Sequence, residues 1–397
     1  MNRPTWLTRN VFVLSAVSFL QDAASELLYP ILPILLTSVL GAPAAVVGLT
    51  EGLAEGAAAV TKYASGRWSD RIGRRPLVTA GYGLAAVGKV VVAMAGVWPV
   101  VLVGRVTDRL GKGMRGAPRD ALLADGIAPT DLSRVFGFHR AMDTMGAVVG
   151  PLLGLAVLWL THDNLKVALW IAVVPAVLSA ALTLRVREKP RAAAVRAARP
   201  QVGSVERDLA KPDPLPTAYW RVVWVLGLVA LVNFPDALVL LRVSQVGFSI
   251  TGVLAVYVLY NLVYTALSYP AGVLADHLPR ARIYAVGLAC FAIGYVGLGL
   301  VDGTGAVVAL MLTYGGFNAF TDGVGKAWIS SLVPPQVRGH AQGVFQGLSG
   351  GAVLVAGLWA GLAWNLGPGH GAVPLVVAGS LAGLAGLALW VTGRRLG

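Results

Sequence analysis

Apolar runs of about 20 residues recur along the whole of this 397-residue chain, and they restrict its fold more than any other feature. A helix of that length crosses the roughly 30 Å hydrocarbon layer of a bilayer. Hydrophobic residues make up 56% of the chain and charged residues only 13%, which is more apolar than a soluble core requires. The 49 glycines favour close-packed membrane helices over membrane β-strands. The sequence therefore predicts an all-α, polytopic membrane protein.

Twelve apolar runs can be separated, which predicts twelve transmembrane helices in two pseudo-symmetric six-helix bundles. The predicted spans are 11–38, 44–65, 76–97, 100–124, 134–159, 167–185, 220–241, 249–271, 280–301, 306–331, 339–364 and 372–393.

The basic residues are concentrated in alternate loops between these spans. One side of the membrane receives only Lys166 and Arg242. Because basic loops stay in the cytoplasm, both termini are expected there, in a multi-pass protein of the inner (plasma) membrane. The same distribution argues against nucleic acid as a partner, despite a formal net charge of +13. The other side holds the 185–214 segment and Arg3, Arg9, Arg67, Arg71, Arg74, Arg75, Arg115, Arg119, Arg134, Arg280, Arg282, Arg338, Arg394 and Arg395.

A stretch rich in Arg, Ala and Pro divides the chain near its middle. It predicts an N-terminal six-helix half at 1–185, a cytoplasmic linker at 186–218 and a C-terminal six-helix half at 219–397. We expect the linker to be a solvated tether; binding to anionic lipid headgroups is the alternative.

The two halves share short motifs in the same order. The matched pairs are 66–70 with 272–276, Asp108–Lys112 with Asp322–Lys326, and Asp22 with Asp236. Duplicated halves that face each other across a midplane site are typical of transporters, because rocking one half against the other alternates access.

The stretch 66–76, Gly-Arg-Trp-Ser-Asp-Arg-Ile-Gly-Arg-Arg-Pro, resembles the loop signature of the major facilitator superfamily. Its weaker copy at 272–282 has His277 and Pro279 where Arg and Gly are usual. The resemblance covers essentially the whole chain and implies a transporter without a cofactor. It implies that Asp70 holds one face shut, either against Arg115 or Arg119 or at a helix start in the second half. We assign to gating Gly66, Asp70, Arg71, Gly73, Arg74, Asp108, Lys112, Asp276, Asp322 and Lys326.

A second resemblance concerns direction. The stretch Gly146 to Gly154, with Gly150 and Pro151 inside it, is similar to the motif of antiporter branches of the superfamily, which mostly export. Leu155 stands where a second Gly is common. The alternative is ordinary close packing of a Gly-rich helix. Arg105 likewise resembles the buried arginine of those branches, although Asp108 follows where an amide is more familiar.

Two carboxylate pairs lie inside predicted spans, each one helical turn apart: Asp22 with Glu26, and Glu51 with Glu55. Two such groups in a low-dielectric cavity do not both stay ionised, so one of them can carry a proton. We expect Asp22 to be the proton site, Glu26 to share it and Arg105 to compete for it. The alternative is that these acids form structural ion pairs.

The spacing of Asp108 with Lys112, and of Asp322 with Lys326, predicts ion pairs along one helix. Further polar and aromatic residues could line a solute cavity, although aromatics in membrane helices more often pack or sit at the interface. The predicted cavity residues are Tyr29, Glu51, Glu55, Arg140, Asp143, Asp236, Tyr260, Asn261 and Asn318, with Tyr257, Tyr264 and Phe345 as further candidates.

Several other chemistries lack a sequence signal. There is one cysteine, Cys290, and the five histidines show no His-x-x-x-His spacing, which disfavours a bound metal. No phosphate-binding Gly-x-x-x-x-Gly-Lys-Ser/Thr loop occurs, so direct ATP coupling has no support. No nucleophile elbow or zinc-protease helix occurs either, so we do not expect catalysis. We expect a monomeric secondary transporter in the lipid bilayer that exports a small organic or drug-like solute in exchange for protons. The alternatives are a carrier for a charged solute, such as an organic anion or a metal species, and a non-transporting membrane sensor or enzyme.

Overall fold

The computed structural model describes residues 6–29, 32, 35–42, 44–162, 164–188, 215–368 and 371–393. Within these ranges the regular elements are all helical, namely thirteen α-helices, a π-helical turn at Leu35–Val39 and a 3-10 turn at Pro335–Val337. The α-helices are α1 (Arg9–Leu28), α2 (Ala44–Ile72), α3 (Arg74–Ala93), α4 (Trp98–Leu123), α5 (Leu132–Leu160), α6 (Leu165–Thr183), α7 (Thr217–Ala230), α8 (Asp236–Gln245), α9 (Ile250–His277), α10 (Arg280–Leu300), α11 (Thr304–Ser331), α12 (Arg338–Leu362) and α13 (Ala372–Thr392).

Eight of the described helical segments are long and apolar enough to cross a membrane. They confirm the all-helical, multi-pass prediction. The predicted number of twelve spans exceeds these eight and stays a prediction. The predicted spans without such a segment correspond to α2, α4, α11 and the α7–α8 pair. The eight are Arg9–Leu28, Arg74–Ala93, Leu132–Leu160, Leu165–Thr183, Ala255–His277, Arg280–Leu300, Pro335–Leu362 and Ala372–Thr392.

The span predicted at 220–241 is two helices, α7 and α8, separated by residues 231–235. Pro235 stands at the N-cap of α8, and its ring cannot donate the backbone hydrogen bond that a continuous helix needs. The span predicted at 11–38 is also shorter than expected, because α1 ends at Leu28, two residues before Pro30 in the sequence. A proline therefore accompanies the shortening of the first span in each part of the chain.

The outer surface of the helices is apolar. Trp159, Leu160 and Leu362 expose 82%, 67% and 79% of their surface, and many other large apolar side chains are exposed in the same way. A soluble protein does not present apolar area on this scale to water. The surface fits a hydrocarbon environment, in which helices satisfy their own backbone hydrogen bonds.

Equivalent helices pack in the same way in the N-terminal part, α1–α6, and the C-terminal part, α7–α13. In the first, α4 packs on both α2 and α3; in the second, α11 packs on both α9 and α10. Two helix pairs, α5 with α9 and α2 with α12, make the main contacts between the parts. Of the predicted linker at 186–218, residues 189–214 lie outside the described ranges and α7 begins at Thr217.

Candidate functional site

A cavity of about 330 Å³ lies between the N-terminal and C-terminal parts. This volume is at the lower end of the range for sites that bind small organic molecules. Helices α1, α2, α4 and α5 line it from one side, and α8, α9, α11 and α12 from the other. The lining residues are Asp22, Ser25, Glu26, Lys62, Asp108, Arg109, Lys112, Arg115, Gly116, Arg119, Arg140, Asp143, Thr144, Ala147, Asp236, Tyr257, Tyr260, Asn261, Tyr264, Asn318, Lys326 and Gln346.

Asp22 and Glu26 face this cavity from α1, one helical turn apart. Small residues on α5 bring the two helices together at this level, since an added Cβ at Gly146 would lie 2.4 Å from the carbonyl oxygen of Phe19 and one at Gly150 would lie 2.6 Å from that of Ala23. Among the described residues, neither carboxylate makes a hydrogen bond or an ion pair within 4 Å. Within the described part of the chain, the nearest cations act on the two acids only from beyond 4 Å.

The antiporter-like stretch behaves differently at its far end. A Cβ at Gly154 would lie 3.5 Å from Leu27 Cγ, which is an ordinary contact. Pro151 lies inside α5, which continues to Leu160. Close packing against α1 thus requires Gly146 and Gly150, and not Gly154.

Asp108 is partnered by a residue on the neighbouring helix. Its Oδ1 lies 2.8 Å from Nζ of Lys89 on α3, and its Oδ2 lies 3.5 Å from Nη1 of Arg105. The predicted pair with Lys112 is wrong, because Lys89 is only 1% exposed and its ammonium needs a counter-charge inside the bundle. Arg105 thus serves a buried ion pair, and Lys112 turns to the cavity.

Arg140 joins the two parts of the molecule. From α5 it donates to Asp143 at 2.8 Å, and it reaches Asp322 on α11 at 2.9 Å and the hydroxyl of Tyr264 on α9. Tyr264 also donates to Asp322 at 2.9 Å. Four side chains from three helices therefore form one connected polar network beside the cavity.

A second network that crosses between the parts is centred on Asp120, which is fully buried. Its carboxylate lies 3.0 Å from Arg119, 3.3 Å from Nζ of Lys326 on α11 and 3.0 Å from Nε2 of Gln346 on α12. Asp120 was not among the predicted site residues, although a carboxylate inside the predicted span 100–124 is itself a signal of a functional site. The predicted pair of Lys326 with Asp322 is present at 3.5 Å.

Asp236 is held by tyrosine hydroxyls instead of by a cation. Tyr314 donates to it at 2.6 Å and Tyr260 at 3.1 Å, and Asn318 donates in turn to Tyr260. Asp236 is the first residue of α8, where the helix N-terminus favours a carboxylate. The break between α7 and α8 thus positions a carboxylate on the C-terminal side of the cavity.

Eight of the twelve predicted cavity residues line the cavity. Arg140, Asp143, Asp236, Tyr260, Asn261 and Asn318 line the cavity, as do Tyr257 and Tyr264. Glu55 does not, and its half-exposed side chain lies 3.3 Å from Arg109. Tyr29, 51% exposed, is also outside the lining. Phe345 lines a smaller neighbouring cavity, and the side chain of Glu51 lies outside the described residues.

One end of the molecule is closed by contacts between the two parts. Helices α2 and α12 cross at Gly66 and Gly343, where an added Cβ on Gly66 would lie 2.7 Å from Cα of Gly343. Arg74 donates to the carbonyl of Pro335, and Arg338 donates to that of Ala124 at 2.6 Å. All these contacts lie at the end that the distribution of basic residues predicts to face the cytoplasm.

Asp276, at the end of α9, caps the start of α5. Its carboxylate accepts from the backbone N–H of Ser133 at 2.8 Å and of Arg134 at 2.9 Å. Asp131 occupies the N-cap position of α5 but makes no capping hydrogen bond. This is the helix-start contact that the resemblance implied for Asp70, made by the equivalent residue of the second motif copy. The side chains of Asp70 and Arg71 lie outside the described residues.

Gly73 of the first motif copy has a φ of 102°, a backbone conformation that favours glycine. It ends α2 and allows α3 to begin at Arg74. Within the described residues, no group of three His, Cys, Asp or Glu side chains is placed to hold a metal ion.

The model of the Major Facilitator Superfamily matches residues 14–357 and 233–396. An uncharacterised MFS-type transporter of Methanocaldococcus jannaschii is 30% identical over 386 residues, covering 94% of this chain and 94% of the relative. The multidrug resistance protein MdtH of Blochmanniella pennsylvanica is 26% identical over 138 residues, covering 35% of this chain and 33% of that protein. The structure of the proton:xylose symporter XylE superposes with a TM-score of 0.77 at 16% identity, covering 96% of this chain and 94% of that one. The chain belongs to the Major Facilitator Superfamily.

Proposed function

We propose that this chain is a secondary active transporter that moves a small charged solute across the inner membrane, coupled to protons through Asp22 and Glu26. It does so as a monomer with twelve spans in two six-helix halves and both termini in the cytoplasm. The observation that carries the proposal is the charged cavity between the two parts, closed at one end by contacts that join them.

Alternating access follows from the way that end is closed. The contacts at Gly66 and Gly343, and the cap that Asp276 provides to α5, join the two parts and not neighbours within one part. Rocking one part against the other separates these contacts without unfolding a helix. The same rotation closes the opposite end of the cavity, and the solute is carried across.

Asp22 and Glu26 are suited to carry the coupling proton. They share one face of α1, line the cavity and lack hydrogen-bond and ion-pair partners among the described residues. The other lining carboxylates are partnered, Asp108 by Lys89, Asp143 by Arg140 and Asp236 by two tyrosines. A carboxylate with a fixed cation keeps its charge, whereas an unpartnered one in a membrane cavity can exchange a proton.

The lining supports a charged solute more than an apolar one. Twelve of the lining residues are acidic or basic. The aromatic residues of the lining are all tyrosines, whose hydroxyls make hydrogen bonds or face the cavity. Export of a drug-like compound has separate support in the antiporter-like motif and in the partial similarity to a multidrug resistance protein. We place the charged solute first because most of the side chains that line the cavity are charged or polar.

The test is flux in proteoliposomes that carry an imposed pH gradient and an internal pH dye. Carboxylates, phosphate esters, organic cations and divalent metals are added in turn to the protein and to the variants Asp22→Asn and Glu26→Gln. We expect one class to evoke proton movement, and each variant to reduce it strongly. The matched control is Asp302→Asn, which changes a carboxylate that is 81% exposed and outside the cavity lining, and which leaves a side-chain oxygen to accept from its partner Arg242.

Two results would contradict the proposal. Accumulation of a labelled solute with no proton movement would make the protein a carrier that uses another ion or none. Unchanged proton flux in both the Asp22→Asn and Glu26→Gln variants would assign coupling to another group.

A further inference from the structure

The charged groups around the central cavity do not balance. Among the residues that the structure describes, seven cationic side chains and five carboxylates line it. The cations are Lys62, Arg109, Lys112, Arg115, Arg119, Arg140 and Lys326; the carboxylates are Asp22, Glu26, Asp108, Asp143 and Asp236. A low-dielectric cavity with excess positive charge attracts anions and concentrates them.

Most of the cations already have a partner. Arg119 and Lys326 share Asp120, and Arg140 contacts Asp143 and Asp322. Arg109 lies 3.3 Å from Glu55, and the guanidinium of Arg115 lies 4.4 Å above the ring of Tyr82. Each of these groups thus already contacts another side chain, although Nη1 of Arg115 has no hydrogen-bond partner among the described residues.

Lys62 and Lys112 are different. They face the cavity from α2 and α4, and neither makes a hydrogen bond or an ion pair within 4 Å to another described residue. An ammonium inside a membrane protein is costly unless an opposite charge or water accompanies it. Lysine also carries three donors on a flexible stem, which suits it to a mobile oxyanion.

We propose that the transported solute is a small organic anion whose carboxylate or phosphate group binds to Lys62 and Lys112. This inference rests on the proposed function and names the charge class of the solute at that same site. Two lysines from adjacent helices of the N-terminal part bind the oxyanion. Hydrogen bonds from the C-terminal part contact the remainder of the solute. The groups that make them are Asp236, Tyr260 and Asn318.

The same geometry fixes how protons and the anion influence each other. While Asp22 and Glu26 are ionised, their two negative charges oppose the two lysines and repel an incoming anion. Protonation of the acids removes that repulsion, so anion and protons bind to the same state of the carrier. The groups that face the two acids are Arg105, Arg109 and Lys112 on α4, Arg140 and Asp143 on α5, and Tyr257 on α9. Linkage then requires tighter anion binding at lower pH and movement of anion and proton in the same direction.

A charged thiol reagent tests this without knowledge of the solute. In the full-length protein, Cys290→Ala removes the single cysteine and Ser25→Cys places one in the cavity lining. The rates of reaction with an anionic and a cationic methanethiosulfonate reagent are measured, each divided by its rate with a free thiol. Cys290→Ala alone gives the background. The ratio of the two corrected rates is independent of how far the thiol itself is ionised.

We expect the anionic reagent to react about tenfold faster than the cationic one. Lys62→Gln with Lys112→Gln should abolish this preference, whereas Arg75→Gln, which changes an exposed arginine, should not. The preference for the anionic reagent should grow as pH falls from about 8 to about 5.5, a range that spans carboxylate protonation in cavities. In the double variant Asp22→Asn with Glu26→Gln, the full preference should be present at every pH.

A faster reaction with the cationic reagent, or a preference unchanged by the double lysine variant, overturns the inference. So does proton flux in the proteoliposome assay that is evoked by organic cations and not by carboxylates or phosphate esters. That last result leaves proton-coupled transport intact. Absence of proton flux with every solute, together with an anionic preference at the thiol that Ser25→Cys introduces, would instead contradict the proposed coupling and leave the anion site standing.

Discussion

Arg140 on α5 and Asp322 on α11 form a 2.9 Å ion pair that joins the N-terminal part of the molecule to the C-terminal part. The pair lies eight residues into α5 from the closed end, beside the cavity. Under the proposed alternating access the two parts separate at this end, so each cycle would break and remake the pair. The proposal therefore predicts that the strength of the pair affects how firmly that end stays shut.

Arg140→Gln should open the closed end. The variant leaves Asp322 and Asp143 without their shared cation. Both Arg140 and Asp322 are part-exposed and Lys326 still contacts Asp322, so we expect a cost below the about 3–5 kcal/mol of a fully buried pair. The measurement is labelling of Ser25→Cys, in the Cys290→Ala background, by an impermeant reagent added to the cytoplasmic side of inside-out vesicles. We expect faster labelling than in the parent protein. The exchanged pair Arg140→Asp with Asp322→Arg should restore slow labelling if attraction between the two sites is what matters. Equal rates in all three proteins would show that other contacts hold the end closed.

Gly66→Val should prevent the same end from closing. A Cβ there would lie 2.7 Å from Cα of Gly343 and 2.8 Å from the carbonyl oxygen of Gly339, so α2 and α12 must move apart. The expected results are loss of solute flux and fast cytoplasmic labelling of the cavity cysteine. Gly56→Val is the matched control, since it lies on the same helix with no atom within 4 Å of its added Cβ. Similar flux in the two variants would mean that this crossing is not required for transport.

The sequence predicted the helical class and much of the cavity lining because both depend on local signals. Apolar length identifies a membrane helix, and an ionisable side chain inside such a helix must face a cavity or a partner. Arg140, Asp143 and Asp236 were found by that rule. The break between α7 and α8 had its own signal in Pro235, which lies inside an apolar run that looked continuous.

Pairing between helices could not be predicted in the same way. The spacing of Asp108 and Lys112 makes them neighbours on one helix, but it does not reveal that Lys89 on α3 lies closer. Likewise, the capping of α5 depends on Asp276, 143 residues from Ser133 in sequence, while the local candidate Asp131 does not cap. Helix crossings decide these choices, and no spacing within one helix encodes them.

Asp276→Ala should destabilise the closed arrangement more than Asp131→Ala. Asp276 accepts from two backbone N–H groups at the start of α5, and loss of such a cap costs about 1–2 kcal/mol. Asp131 makes only a 3.4 Å ion pair with Arg134, part-exposed at the same helix end. Thermal unfolding of the purified protein measures both, and Asp276→Asn, which keeps one acceptor, should fall between them. A larger loss of unfolding temperature in Asp131→Ala than in Asp276→Ala would show that Asp131, and not Asp276, caps α5.

Tyr314→Phe should remove a hydrogen bond that holds the Asp236 carboxylate in place. The Tyr314 hydroxyl donates to that carboxylate at 2.6 Å, and hydrogen bonds to charged groups contribute about 1.5–3 kcal/mol. Tyr295→Phe is the matched control, because its buried ring packs against that of Tyr314 while its hydroxyl contacts Tyr314 and the carbonyl of Phe234, and not the Asp236 carboxylate. Thermal unfolding and the KM for solute flux are measured together. We expect a lower unfolding temperature and a raised KM for Tyr314→Phe and small changes for Tyr295→Phe. Equal losses in the two variants would show that the rings, and not the hydroxyl held against Asp236, determine the geometry on this side of the cavity.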